Sequence, residues 1–381
     1  MKTAMRIAAI AALSLAVAGC QSAPAPATSS QPQEPAQAPE QSATETEKEP
    51  EPVKEEPAGA VTQEEAGIKI RIDMPEIEEF LGMSKEGAIV PALKQDAVPQ
   101  GITYLEEQNW LITSHYKEDG SPSILTVIDA ATDKLVKAVE LYEDENTVYT
   151  GHAGGVTVSK SHVWISSGSH AYWFSTDKLV AAEDGAKLVF EGSIQTDTRA
   201  SLTTYSDGIL WVGEYAQGTN YPTEKSHYMN NRDGKEHRAW AVGYKLDETT
   251  DLLPETKAVV EGTPVTPDYI LSIPNMVQGM LVAGEDVWLS QSYGRNNAST
   301  LAGYKLSLTE EPHTTVTIGE ESVPVWFLDS QNAAVSHTLP PMSEGIVDHE
   351  GTMYILFESG ASKYVTSSSY PLDRILEWQW K

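Results

Sequence analysis

The stretch Gln100-Gly101-Ile102-Thr103-Tyr104, followed nine residues after Gly101 by Trp110-Leu111-Ile112-Thr113-Ser114, decides the fold because it comes back. It recurs as Gly154-Gly155-Val156-Thr157-Val158, with Trp164 nine residues after Gly155, and as Ala200-Ser201-Leu202-Thr203-Thr204, with Trp211 ten after Ser201. It recurs again as Gln278-Gly279-Met280-Leu281-Val282, with Trp288 nine after Gly279, and as Glu344-Gly345-Ile346-Val347-Asp348, with Tyr354 nine after Gly345. The spacing between the copies varies, whereas the internal offset hardly does. Repeats of this kind set the architecture, since each unit must stack on its neighbours to bury its apolar face.

The first copy shows what one unit is. Alternation and β-branched content predict strands at Ile102–Tyr104 and Trp110–Ser114, then Ser123–Asp129 after a Gly-Ser-Pro turn, then Val136–Leu141 after Ala130-Ala131-Thr132-Asp133. This is a four-stranded meander. Its third strand recurs at Trp240–Leu246, Thr300–Leu306 and Arg374–Trp380, the last almost at the C-terminus. The fifth copy is therefore one strand short, and the extended segment near Ile89 is placed to supply it. Closure of this kind removes exposed sheet edges. The expected fold is all-β, a five-bladed β-propeller of four-stranded antiparallel blades, with six blades as the alternative if a degenerate copy hides in 67–99 or in a long repeat.

Composition limits the functions. The 381-residue chain carries a formal net charge of −29, which opposes nucleic-acid binding and adsorption to anionic lipid. Its single cysteine, Cys20, excludes an internal disulfide and a cysteine-based zinc cluster. At the start, Lys2 and Arg6 precede an apolar run from Ile7 to Val17 that is too short to span a bilayer and ends Val17-Ala18-Gly19-Cys20. This resembles the lipobox of bacterial lipoproteins. The resemblance implies a signal peptide over 1–20, acylation of Cys20, and an extracytoplasmic protein anchored to a membrane through that lipid. Gln21, where an aspartate would resemble a retention signal for the inner membrane, points to the outer membrane or cell surface.

Residues 21–66, dense in Pro, Ala, Gln, Ser and Glu and free of aromatics, read as a disordered tether. Residues 67–99 read as a transitional segment: a strand at Ile68–Ile72, a short helix from Pro75 to Met83, and an edge strand at Ala88–Leu93 that carries the ring-closing segment. The propeller fills 100–381.

Within the first repeat, Thr126-Val127-Ile128-Asp129 followed by Thr132 and Lys134 resembles blades of YVTN/YncE-like propellers. Glu344-Gly345 resembles the corresponding step of SMP-30/gluconolactonase-like propellers, with Ile346 where that family has proline. These resemblances cover blade patterning and carry no catalytic set, and the fold itself hosts binding proteins, hydrolases and scaffolds.

Topology places a site all the same. The start of each innermost strand and the end of each second strand lie on one face of the ring. That gathers Gln100, His152, Arg199, Asn275, Gln278, Ser343 and Glu344 with His115, Tyr116, His170, Glu214, Tyr215, Gln291, Tyr293, Arg295 and Glu358. A long third-blade loop, 216–238, adds Tyr221, His227, Tyr228, Asn231, Arg232 and His237. Glu214, Glu344 and Glu358 are the catalytic candidates, as general acids and bases or as ligands of a hard cation such as calcium. They serve equally well as partners of Arg199 and Arg295. Gln100, His152, Arg199, Asn275, Gln278, Gln291, Tyr293, Arg295 and Ser343 are the ligand-binding candidates, although the two glutamines also suit hydrogen bonding between blades. The histidines lack metal spacing, and no nucleophile elbow, phosphate loop, HExxH helix or dinucleotide fingerprint occurs. The favoured expectation is a non-enzymatic module binding a glycan, peptide or envelope protein. The alternatives are a cation-dependent hydrolase of lactonase or glycosidase type and an envelope scaffold.

Overall fold

The repeated glycine sits where the innermost strands of neighbouring repeats meet. A Cβ on Gly101 would lie 2.4 Å from the Val156 nitrogen, on Gly155 2.3 Å from the Thr203 nitrogen, on Gly279 2.6 Å from the Glu344 carbonyl, and on Gly345 2.8 Å from the Ile102 nitrogen. All four obstacles are backbone, so no rotamer change relieves them. Glycine is what lets the inner strands crowd around a common axis.

The structure, a computed structural model, describes residues 60–381. The lipobox, Cys20 and the tether up to residue 59 lie outside the described residues. Five blades, each built on four antiparallel strands, follow each other around the ring, and parallel outer strands at Lys187–Val189 and Glu321–Phe327 widen the first and third. The first blade comprises Ala97–Leu105, Trp110–Lys117, Ile124–Asp129 and Lys134–Asp144. The second comprises Val156–Val158, His162–Ser167, His170–Ser175 and Gly192–Gln195. The third comprises Leu202–Ser206, Ile209–Gly213, Ala239–Lys245 and Tyr269–Ile273, and the fourth Val277–Ala283, Asp286–Gln291, Ser299–Lys305 and Ala333–Leu339. The fifth has three strands of its own, Ser343–His349, Thr352–Phe357 and Arg374–Gln379. Its fourth is Ser84–Ile89, antiparallel to the C-terminal strand with Ser84 opposite Trp378. The five-bladed expectation and the ring closure near Ile89 both hold. The closing strand lies earlier than the Ala88–Leu93 reading, because Pro91 falls in the turn that follows it.

The repeat aromatics fill the seams between blades. Trp110 packs against the cluster joining the first two blades, Trp164 lies in the second seam, Trp211 in the third, Trp288 in the fourth, and Tyr354 against the fifth. Burying rings of this size contributes strongly to each seam. Two expectations from the sequence change. Ile68–Ile72 forms no strand; Ile70 and Ile72 stay exposed, so nothing apolar rewards the alternation. Residues 62–66, assigned by composition to the tether, are pinned to the propeller. Gln63 donates to the carbonyls of Ile89 (2.8 Å) and Asp133 (2.9 Å) and accepts from the Leu135 nitrogen (2.7 Å), bridging the closing strand to the first blade.

Candidate functional site

The residue just before each repeat glycine, or before its replacement Ser201, differs from blade to blade. In the fourth, fifth and first blades it is Gln278, Glu344 and Gln100; in the second and third it is Gly154 and Ala200. Long polar side chains thus crowd one side of the mouth. A cavity of about 810 Å³ occupies the mouth, with Gly168, Ser169, Ala200 and Ser201 among the small residues in its wall.

Of the sequence candidates, Gln100, Tyr116, His152, Arg199, Tyr215, Tyr221, Gln278, Tyr293, Arg295 and Glu358 line this cavity. Gln100 is the hub of one wall. Its Nε2 donates to the Pro99 carbonyl (2.8 Å) and to Glu358 Oε2 (3.2 Å), while its Oε1 accepts from His152 Nε2 (2.8 Å). The His152 ring stacks on Tyr116 at 3.9 Å. His152 keeps an edge open to the mouth, yet surrounding protein and then Lys363 push its pKa down to about 4, so it is neutral at pH 7. Burial and the neighbouring Tyr364 hold the Tyr116 hydroxyl far above its usual range.

Glu344 lies behind Gln278, whose Nε2 donates to Glu344 Oε1 at 2.8 Å. It is buried, and burial together with the nearby Glu358 charge raises its pKa well above the carboxylate range; the Gln278 bond opposes this only in part. Burial likewise lifts Glu358 to about 7, against the pull of Gln100, Lys363 and Arg295. Neither carboxyl forms an ion pair among the described residues. The fifth blade therefore presents two carboxyl groups whose protonated forms burial favours, Glu358 raised to about 7 and Glu344 shifted in the same direction.

Glu214 is a different case. Its Oε1 accepts from His227 Nδ1 (2.6 Å) and the Trp240 nitrogen (3.1 Å), and its Oε2 from the Arg199 nitrogen (3.2 Å). It is buried, with His227 stacked on Trp240 at 4.0 Å, and it anchors the long loop rather than the cavity. Most other loop candidates serve the same anchoring. Arg232 grips Asp329 through Nε (2.9 Å) and Nη2 (2.6 Å), His237 Nε2 meets Asn231 Nδ2 at 3.1 Å, and Arg238 covers the Tyr228 ring. Gln291 Nε2 donates to the Asn275 backbone carbonyl at 3.0 Å, and the Asn275 side-chain Oδ1 accepts from the Arg238 backbone nitrogen at 3.1 Å. Ser343 is buried against Ser290, and His115 is enclosed between Thr113 and Thr126, where burial pushes its pKa down to about 3. His170 bonds its own turn at Gly168. These residues lie on the predicted face but outside the cavity wall, because hydrogen bonds within the ring engage them.

Sequence reasoning missed Tyr364 and Met342, which also line the cavity, and Lys363, which donates to Tyr116 Oη at 2.9 Å and to Glu118. Tyr364 and Lys363 belong to the irregular segment between Phe357 and Arg374; its length and its Ser/Tyr content are the signal that would have found them. Among the described residues no group of three or more His, Cys, Asp or Glu side chains is arranged to hold a metal ion. A calcium ion at the mouth would have Glu344 and Glu358 as its acidic ligands, fewer than such ions usually take.

These features define a five-bladed β-propeller protein with an asymmetric polar cavity at one mouth. No protein-family model matches the chain, and no curated protein does. Among solved structures it is similar to the glutaminyl cyclase of Myxococcus xanthus (9% identity, 77% of this chain and 92% of that one, TM-score 0.38). It is also similar to the Xanthomonas citri GH43_1 enzyme complexed with xylotriose (10%, 80% and 92%, TM-score 0.39). A third is regucalcin, a calcium-binding protein from Agrobacterium tumefaciens (9%, 74% and 89%, TM-score 0.33). Likeness this remote transfers no activity.

Proposed function

We propose that this protein is a lipid-anchored, extracytoplasmic binding protein whose propeller mouth holds a polar organic ligand, a glycan or a peptide, without transforming it. The observation that carries the reading is the cavity of about 810 Å³, walled by Tyr116, Tyr215, Tyr221, Tyr293 and Tyr364 with two glutamines and two arginines among them. That volume suits a small-molecule site. Tyrosine offers a flat apolar face and a hydroxyl together, which fits sugar rings and peptide groups alike. Support for the anchor is the motif Val17-Ala18-Gly19-Cys20. Calorimetric titration of the 60–381 fragment with oligosaccharide and peptide panels tests the binding. Loss of binding in Tyr215→Ala and Arg295→Ala supports it, and survival of binding in every cavity variant sinks it. Mass spectrometry of the N-terminus from native membranes tests the lipid, which Cys20→Ser must abolish.

One observation favours a second reading. Two neighbouring carboxyl groups that burial raises together, Glu358 to about 7 and Glu344 in the same direction with the Glu358 charge beside it, form a coupled pair suited to dividing acid and base roles. On that reading the protein is a hydrolase with Glu344 as acid and Glu358 as base. Wild-type turnover in both Glu344→Gln and Glu358→Gln would remove it.

A further inference from the structure

We infer that the mouth takes a short peptide by its free N-terminus, the ammonium group lying at Glu358, with Glu344 buried behind Gln278, and the peptide's carbonyl or carboxylate oxygens at Arg199 and Arg295. This rests on the mouth being a binding site and specifies its ligand.

Gln278 gives Glu344 one amide donor and Gln100 gives Glu358 another, and no cationic side chain forms an ion pair with either carboxyl among the described residues. The charges of Lys363 and Arg295 act on Glu358 without an ion-pair contact, which leaves room for a cation seated directly against it. A primary ammonium brings that charge and three N–H donors on one atom. Burial favours the protonated form of both carboxyls, and the Glu358 charge adds to this at Glu344. An ammonium guest favours the ionised forms, so its arrival displaces a proton to the buffer.

The rim is the complement. Arg199 Nη1 donates to the Pro222 carbonyl (2.8 Å), and Arg295 Nη1 to Ser367 Oγ (3.0 Å), with its guanidinium 4.9 Å above the Tyr364 ring. Neither forms an ion pair with a carboxylate among the described residues, and each guanidinium carries five donors, so both retain capacity for a ligand oxygen. Lys363, by contrast, is engaged by Tyr116 and Glu118. A neutral glycan would leave floor and rim charges unanswered. A purely anionic ligand would set like charge against the floor, in a chain whose net charge is −29. A zwitterionic chain with its amine inward answers both, and the tyrosines flank it.

The test is calorimetry on the full lipid-anchored protein in detergent and on its 60–381 fragment, with four probes. These are tri-alanine, N-acetyl-tri-alanine, a glucosamine trimer and an N-acetylglucosamine trimer. The expected result is tri-alanine binding about tenfold or more tighter than its acetylated form, with proton release measured across buffers of different ionisation enthalpy. In Glu344→Gln and Glu358→Gln, thermal unfolding checks the fold, and the release must shrink. Equal binding of both alanine peptides overturns the ammonium assignment, as does binding without proton release. Binding of the glucosamine trimer in place of tri-alanine overturns the peptide assignment. Binding of the N-acetylglucosamine trimer alone overturns the inference yet leaves the mouth a binding site. No binding of any probe at millimolar concentration overturns the inference; the broader panels then decide whether the mouth binds at all.

Discussion

Glu214 and the Glu344/Glu358 pair stand at similar places in their blades and lead opposite lives. Glu214 accepts three hydrogen bonds, from His227 and from the backbone nitrogens of Arg199 and Trp240, and so its burial is fully compensated. Glu344 and Glu358 receive one amide donor each, and their burial raises both pKa values. A carboxylate with a full set of donors holds the fold together. A carboxyl group short of donors and next to a cavity keeps capacity for a ligand or a proton. Between the equally buried Glu214 and Glu344 the difference lies in the partners, while Glu358 is also partly open to the cavity.

That contrast can be broken most severely at Glu214. Glu214→Ala strands His227 and two backbone donors, and should cost about 4 kcal/mol in urea unfolding; a cost below about 1 kcal/mol would show that Glu214 is not the anchor described. The next effect is a pH dependence. The folded-state pKa of Glu358 is raised, so the native state keeps a proton that the unfolded state has already lost. Stability therefore falls as pH rises from 4.5 to about 7, and levels off above that. The fall should approach about 3 kcal/mol, and Glu358→Gln should flatten it, as denaturation midpoints across that pH window will show. Gln278→Ala is expected to cost about 1 kcal/mol and to raise the Glu344 pKa further, readable by carboxyl NMR titration; an unmoved pKa would break the link between those two side chains. Tyr221, 48% exposed, gives the smallest stability effect. Tyr221→Ala should leave unfolding within about 0.5 kcal/mol of wild type while weakening ligand binding, so a large loss of stability would reassign it to loop packing.

Much of the ring was legible in the residues. Gly101, Gly155, Gly279 and Gly345 report a backbone contact that only glycine permits, and the aromatic nine residues on reports the seam it fills. Local chemistry dictates both, so both leave a periodic trace. The site was legible in part. Ten of the side chains named from sequence line the cavity. Yet Asn275 and Gln291 look as available in sequence as Gln100 does, and only the fold reveals that the Asn275 side chain is held by the Arg238 nitrogen and Gln291 by the Asn275 backbone. Tyr364 and Lys363 were missed because an irregular segment carries no period to read.

By itself the sequence determined the all-β class, the number of repeats, the missing strand and its replacement near Ile89, since these follow from alternation, turn residues and the want of space at a glycine. Only the tertiary structure decided that residues 62–66 clamp the closing seam, that Glu214 is spent on His227, and that Glu344 and Glu358 each meet a single glutamine from a neighbouring blade. The physical reason is range. A strand's pattern is set by residues two apart, whereas the state of a buried carboxyl is set by partners up to 258 residues away, as Gln100 is from Glu358.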